Sequence, residues 1–122
     1  AAHHCEYCRA PEVIYNLPFE VEHIMPLALN GKDELSNLAL SCRSCNLYKA
    51  ISVTATDPET RASVALFHPR HDKWQEHFRL QEEAGIIEGL TSKGRATVVA
   101  LRMNGERQVA ARLQWLRLGI YS

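Results

Sequence analysis

The chain has 122 residues and no net charge, because 14 lysines and arginines balance 14 aspartates and glutamates. With 46% hydrophobic and 23% charged residues, the composition is that of a globular protein and excludes a disordered chain. The longest apolar runs are four residues, far below the roughly 20 that cross a bilayer. No secretory leader is visible, so we expect an intracellular, cytoplasmic protein of bacterial type with no membrane partner.

Charge is divided unevenly along the chain. Residues 1–60 carry 4 basic and 8 acidic side chains, whereas residues 61–122 carry 10 basic and 6 acidic ones. Phosphate binding depends on local positive patches more than on net charge. The second half is therefore able to supply a surface for nucleic acid.

The cysteines form two C-x-x-C pairs, Cys5 with Cys8 and Cys42 with Cys45, separated by 33 residues. A two-residue gap lets both sulfurs of a pair reach one ion, and two pairs supply four thiolates for tetrahedral zinc. Two disulfides are the main alternative and redox chemistry the third, but no feature of the sequence indicates an oxidising compartment. We predict one structural zinc ion per chain.

In chain order, the first half predicts two strands and a helix. Residues 19–24 alternate in polarity and predict a strand that ends at Pro26. Residues 35–40 predict a second strand, leading into the second cysteine pair. A helix is predicted from near Asn46, including residues 47–51 and stopping before Pro58.

The second half predicts strands followed by two helices. Residues 62–67 predict a strand, and residues 77–80 and 86–90 predict a hairpin. Thr91 or Ser92 can cap a helix that ends at Asn104-Gly105. The apolar faces predicted for the two helices comprise Ala96, Val99, Ala100 and Met103, and then Val109, Leu113, Leu116 and Ile120. We predict an α+β fold with a core at 1–58 and an extension packed on it at 59–122.

Five polar side chains of the first half carry a consistent chemistry. Glu22 and His23 lie on the first predicted strand, Asn37 on the second, and Asn46 and Lys49 on the helix. Carboxylate and amide oxygens suit Mg²⁺ or Mn²⁺. A neutral histidine beside such an ion can take a proton from water, and a lysine near a helix start favours phosphate. These are the parts for metal-assisted hydrolysis of a phosphodiester.

The motifs of residues 5–49 resemble those of the HNH endonucleases that have a four-cysteine zinc site. They are Cys5-x2-Cys8, Val21-Glu22-His23-Ile24-x-Pro26, Gly31, Leu35-x-Asn37-Leu38 and Cys42-x2-Cys45-Asn46-x2-Lys49. The resemblance implies the ββα-metal fold, in which a hairpin and a helix grip one divalent ion. It implies that His23 is the general base and that Asn37 braces the hairpin loop. It also implies that Glu22 and Asn46 are ligands of the catalytic ion, with Asn46 in place of the final histidine.

For four residues the sequence leaves two interpretations open. Asn46 can ligate metal or cap the helix, and Lys49 is either a solvated lysine or a contact to phosphate. Arg70 and His77 lie in a basic segment that is either a solvated loop or a wall that closes the cleft onto phosphate. The second half also resembles an extension found after the HNH domain in some bacterial proteins, for which no role is implied. The motifs that carry this resemblance are Leu66-Phe67-His68-Pro69-Arg70, Trp74-x2-His77-Phe78 and Gly89-Leu90-Thr91-x2-Gly94-Arg95-Ala96.

The resulting prediction is an enzyme that hydrolyses DNA phosphodiester bonds with a histidine base and Mg²⁺ or Mn²⁺. The alternative is a non-catalytic zinc module that binds nucleic acid, and the third hypothesis is a small zinc-stabilised interaction domain. Such modules have no need for Glu22, His23 and Asn46 together, which favours the enzyme.

Overall fold

The computed structural model describes residues 3–121. Ala1 and Ala2 of the predicted core and Ser122 of the predicted extension lie outside the described residues. Six strands form three separate antiparallel pairs: β1 Glu20–His23 with β2 Leu38–Ser41, β3 Thr54–Thr56 with β4 Ser63–Ala65, and β5 Phe78–Gln81 with β6 Ile86–Gly89. Four α-helices are described: α1 Arg43–Lys49, α2 Trp74–His77, α3 Ser92–Ala100 and α4 Glu106–Leu118. The predicted mixture of helices and antiparallel strands is confirmed. None of the described helices has the length and apolar character needed to cross a membrane.

The first hairpin leads directly into α1. Glu20 pairs with Ser41 and His23 with Leu38 along the hairpin. The helix begins three residues before the predicted Asn46, because the Cys42 sulfur accepts a hydrogen bond from the Cys45 amide at 3.4 Å and caps the helix. It ends at Lys49 rather than continuing to Ile51, since Ala50 has a positive φ of 47°.

The second strand starts later than predicted. Residues 35–37 form a 3₁₀ turn, and β2 begins only at Leu38. Asn37 turns its side chain back into the loop, which prevents this stretch from pairing as a strand. In the same loop a Cβ on Gly31 would overlap the Met25 carbonyl oxygen, so the chain can close here only with glycine.

A short sheet joins the two predicted halves. Strand β3 was not predicted; it pairs with β4, and the latter is shorter than the predicted 62–67. In the turn between them, Asp57 accepts hydrogen bonds from the Glu59 amide at 3.0 Å and the Thr60 hydroxyl at 2.9 Å. Arg95 of α3 donates two further bonds to the same carboxylate. This sheet spans the predicted division at residue 58, which stays a prediction.

The second predicted hairpin is present, and α3 packs across it. Thr91 caps α3 as predicted, its hydroxyl accepting from the Gly94 amide at 3.0 Å. A Cβ on Gly94 would collide with the His77 carbonyl, so glycine allows the close crossing. The helix ends at Ala100, short of the predicted Asn104, because the chain turns where Arg102 has a positive φ of 51°. Val99, predicted to be buried, is 56% exposed.

Helix α4 buries a different face from the predicted one. The side chains inside are Arg112 and Trp115, whereas the four residues of the predicted stripe are only partly buried. The helix ends where Gly119 adopts the left-handed conformation. Arg112 is accommodated because carbonyl oxygens from distant segments accept its hydrogen bonds, which periodicity cannot reveal.

Three hydrogen bonds tie the second half to the cysteine pairs. The Trp74 indole donates to the Tyr7 carbonyl at 2.7 Å, and the Tyr121 hydroxyl donates to the Cys8 carbonyl at 2.8 Å. Gln108 of α4 donates to the Ser44 hydroxyl of α1 at 2.9 Å. One buried cluster therefore includes all four cysteines, aromatic residues of both halves, and α4.

Candidate functional site

The four cysteines converge on one point in the interior. All four sulfur atoms lie within 4.8 Å of one another, all four residues are buried, and none is in a disulfide. The sulfurs of Cys8 and Cys42 are 3.8 Å apart. Four sulfurs placed tetrahedrally at about 2.3 Å from zinc are separated by about 3.8 Å. The donor set and its spacing therefore fit a structural zinc ion.

Local hydrogen bonds hold the first cysteine pair against the hairpin. The Cys5 amide donates to the Ala10 carbonyl at 2.9 Å, which closes the loop around the pair. Glu6, between the cysteines, donates its amide to the Leu40 carbonyl at 2.9 Å and accepts the Leu40 amide at 2.7 Å. The second pair is positioned by the start of α1. Both pairs are thus fixed to the ends of the strand-strand-helix unit.

Asn37 braces the loop of the hairpin. Its side-chain oxygen accepts the Met25 amide at 2.8 Å, and its nitrogen donates to the carbonyls of Met25 at 2.9 Å and Lys32 at 2.7 Å. These three bonds satisfy a buried amide and fix the loop that follows His23. This is the bonding that the implied bracing role requires.

His23 lies at the end of β1 with its ring partly exposed. Its Nε2 is 3.0 Å from the Asp33 carboxylate, whose side chain is 80% exposed. A carboxylate only accepts hydrogen bonds, so a neutral imidazole in this pair carries its proton on Nε2 and leaves Nδ1 as the acceptor. The sequence did not identify Asp33 because it lies ten residues from its partner, in the segment Asn30-Gly31-Lys32-Asp33, whose composition is that of a turn.

Glu22 faces the opposite side of β1 and is 7% exposed. It accepts a hydrogen bond from the Tyr7 hydroxyl and lies 3.3 Å from the Lys49 ammonium. Burial raises the pKa of the Glu22 carboxyl, while Tyr7 and Lys49 lower it. Burial, with the nearby Glu22 charge, also raises the pKa of Tyr7. The structure therefore joins Glu22 to the first cysteine pair and to α1, and not to His23.

Lys49 is buried rather than solvated. It is 1% exposed, and its ammonium donates to the Ile24 carbonyl at 3.0 Å besides contacting Glu22. The solvated interpretation is therefore wrong, and the contact to phosphate stays a prediction for an ammonium that already has two partners. Its carboxylate partner lies on β1, 27 positions earlier in the chain, and only the tertiary contact reveals it.

Replacing Lys49 with methionine is expected to lower the free energy of unfolding by about 3–5 kcal/mol, because Glu22 would remain buried without its cation. Urea unfolding of the zinc-loaded protein measures this loss. The double variant Lys49→Met/Glu22→Gln should recover a large part of it, and Lys73→Met, at an exposed site, serves as the control. A loss below about 1 kcal/mol would show that the pair is not the buried contact described.

Asn46 contacts an acidic residue, but not the predicted one. Its side-chain nitrogen donates to the Glu20 carboxylate, which also lies 3.7 Å from the Arg43 guanidinium. Glu20 and Glu22 are two residues apart on β1 and so share the face toward α1. Asn46 does not cap the helix, because it lies inside α1 and Cys42 performs that role. Glu20 is a second acidic candidate that the motif did not identify.

A cleft of about 520 Å³ separates the hairpin loop from the second half. Asn37 and Lys49 line it, but His23 does not. The predicted contacts Arg70 and His77 are not among its walls either. Arg70 is paired with Glu6, and the ring of His77 hydrogen-bonds the Thr91 hydroxyl at 2.7 Å. The basic residues of the second half that line it are His68, His71 and Lys93.

Comparison with known proteins identifies the first half. The family model described as HNH endonuclease matches residues 5–50. No curated protein and no solved structure matches the chain. The matched segment contains both cysteine pairs, the β1–β2 hairpin and α1. The resemblance inferred from the sequence motifs is confirmed over this segment, where residues 5–50 match the HNH endonuclease family model.

Proposed function

We propose that the protein is a metal-dependent endonuclease that hydrolyses DNA phosphodiester bonds, and that its hairpin and α1 act as a ββα-metal unit. The observation that carries the proposal is the His23–Asp33 pair, located in the segment that matches the HNH endonuclease family model. In this arrangement the zinc ion on the four cysteines is structural. It holds the hairpin and α1 together and takes no part in the reaction.

His23 has the geometry of a general base. Asp33 holds the Nε2 proton and the orientation of the ring, so Nδ1 is free to accept a proton from water. The resulting hydroxide attacks phosphorus, the bond from phosphorus to the 3′ oxygen breaks, and the leaving oxygen takes a proton from solvent. The products are a 5′-phosphate and a 3′-hydroxyl, as the family resemblance implies.

We propose that the catalytic ion is held by the Asn46 oxygen and an acidic side chain of β1. A divalent ion bound there would offset negative charge on the phosphate. Glu22 is the ligand that the motif implies, but both of its oxygens already have partners in Tyr7 and Lys49. Glu20 already contacts Asn46 and is more exposed. Ligation by Glu22 and ligation by Glu20 therefore predict opposite effects of the two Glu→Gln substitutions on the metal requirement.

Comparing Glu22→Gln with Glu20→Gln decides between these ligands. If Glu22 ligates the ion, its amide variant should need at least about tenfold more Mn²⁺ or Mg²⁺ for half-maximal cleavage. Glu20→Gln should then behave like the wild-type protein. Asn46→Ala should raise the requirement in either case, with zinc content unchanged. Equal metal dependence of wild type and Asn46→Ala would refute ligation by Asn46.

Conversion of supercoiled plasmid to nicked or linear DNA tests the function itself. We expect cleavage with Mg²⁺ or Mn²⁺ and none with EDTA at a concentration that leaves zinc bound. Labelled ends should show 5′-phosphates. A protein that retains zinc and its fold but cuts no DNA, single- or double-stranded, with either ion would contradict the proposal.

The alternative is a zinc module that binds nucleic acid without cutting it. The engagement of Glu22 by Lys49 favours this alternative, because the implied metal ligand already has a cation. A contact surface is available on α1, where Arg102 from the second half lies 4.5 Å above the Tyr48 ring, and Arg43 is 87% exposed. DNA binding that weakens steeply with salt, without cleavage, would support this module.

A further inference from the structure

Helix α4 buries a positive charge that forms no ion pair with any carboxylate among the described residues 3–121. Arg112 is 1% exposed, and its guanidinium donates to the carbonyls of Gly85 and Met103, both at 2.7 Å. A weaker contact of 3.5 Å reaches the Asn104 side-chain oxygen. Its Nε has no hydrogen-bond partner. An uncompensated buried ion costs several kcal/mol, so its charge is expected to have a compensating anion nearby.

A second arginine, Arg9, also has a buried Nε without a hydrogen-bond partner among the described residues. Arg9 directly follows Cys8, and its guanidinium lies 4.4 Å from the centre of the Trp74 ring. Within residues 3–121, the Nε atoms of Arg9 and Arg112 are the only buried side-chain nitrogen or oxygen atoms without a hydrogen-bond partner. Over the same residues, neither guanidinium forms an ion pair with a carboxylate.

Both arginines adjoin the cysteine cluster. Arg112 lines a cavity of about 180 Å³ together with three of the cysteines, Cys8, Cys42 and Cys45. Arg9 is covalently next to Cys8 and packs on Trp74, whose indole bonds the Tyr7 carbonyl within the first cysteine pair. Four thiolates around one Zn²⁺ leave a net double negative charge. Two guanidinium groups carry an equal and opposite charge.

We infer that Arg9 and Arg112 are the counter-ions of a zinc tetrathiolate, so that the zinc site also anchors the second half of the chain. Charges interact strongly across a poorly solvated interior even without direct contact. Arg112 thereby couples α4 to the metal, in addition to the hydrogen bonds from Gln108 and Tyr121. The inference depends on zinc binding but not on nuclease activity.

Zinc affinity of Arg112 variants tests the inference, measured by competition with a metallochromic chelator. Arg112→Met should weaken zinc binding by about 10–100-fold, the range seen for outer-shell partners of metals. Arg112→Lys keeps the charge but loses the forked hydrogen bonds, so it should bind zinc more tightly than the methionine variant. Arg117→Met, at an exposed site on the same helix, is the control. Wild-type zinc affinity in Arg112→Met, or equal weakening by lysine and methionine, would overturn the inference.

Hydrogen exchange of the wild-type protein provides a test that does not depend on how the variants fold. Removal of zinc should increase amide exchange in α4 together with residues 5–50. If residues 106–118 stay protected while the cysteine pairs exchange freely, α4 does not depend on the metal and the inference is wrong.

Discussion

Replacing His23 with alanine is expected to lower the rate of DNA cleavage by about 10²–10⁴-fold, the usual contribution of a general base. DNA affinity and zinc content should not change, because the ring is partly exposed and its described hydrogen bond is to the exposed Asp33. Single-turnover cleavage at saturating protein measures the chemical step directly. A His23→Ala protein that cuts at the wild-type rate would falsify the mechanism and favour the binding module.

Two further variants make this result specific. Asp33→Ala removes the partner that orients the ring but leaves the base, so its loss of rate should be smaller than that of His23→Ala. His3→Ala removes a histidine that is 91% exposed and lies outside the cleft, and it should leave the rate near wild type. If Asp33→Ala leaves the rate unchanged, the carboxylate does not position the base.

Removal of zinc is expected to unfold the first half of the chain, including residues 5–50. A structural zinc site contributes about 10–16 kcal/mol to folding, which equals or exceeds the total stability of a typical domain, about 5–15 kcal/mol. The cysteines also contribute a large share of the buried cluster. Circular dichroism during titration with a strong chelator should show loss of structure, and zinc addition under reducing conditions should restore it.

Elemental analysis and a cysteine variant complete this test. Protein purified without added metal should contain about one zinc per chain. Cys42→Ser removes one thiolate while its hydroxyl can still cap α1, so loss of zinc and of the fold would report the metal site itself. Ser36→Ala, at an exposed position, should keep both. A folded protein with two disulfides and no zinc would show that the metal prediction is wrong.

The sequence by itself determined the features that depend on neighbouring residues. Each C-x-x-C pair brings its two sulfurs together through local geometry, which is why a four-cysteine zinc site could be predicted from the two pairs, and the residue motifs around them carried the HNH resemblance. The β1–β2 hairpin and the Thr91 cap of α3 were likewise predicted from alternation and capping preferences, which act over a few residues. The ends of elements were less accurate, as Asn37 and Cys42 illustrate, because side-chain bonds to the backbone moved them.

Tertiary structure alone decided which polar groups are paired. Glu22 meets Tyr7 and Lys49 from segments 15 and 27 positions away, and no local pattern indicates that β1 turns this carboxylate inward while His23 meets Asp33. Arg112 is the clearest case, since helical periodicity favoured an apolar stripe on α4. Burying its charge requires carbonyl acceptors from two distant turns and the anionic cluster that we propose as its counter-ion. Such compensation depends on groups meeting in three dimensions, and sequence spacing does not encode it.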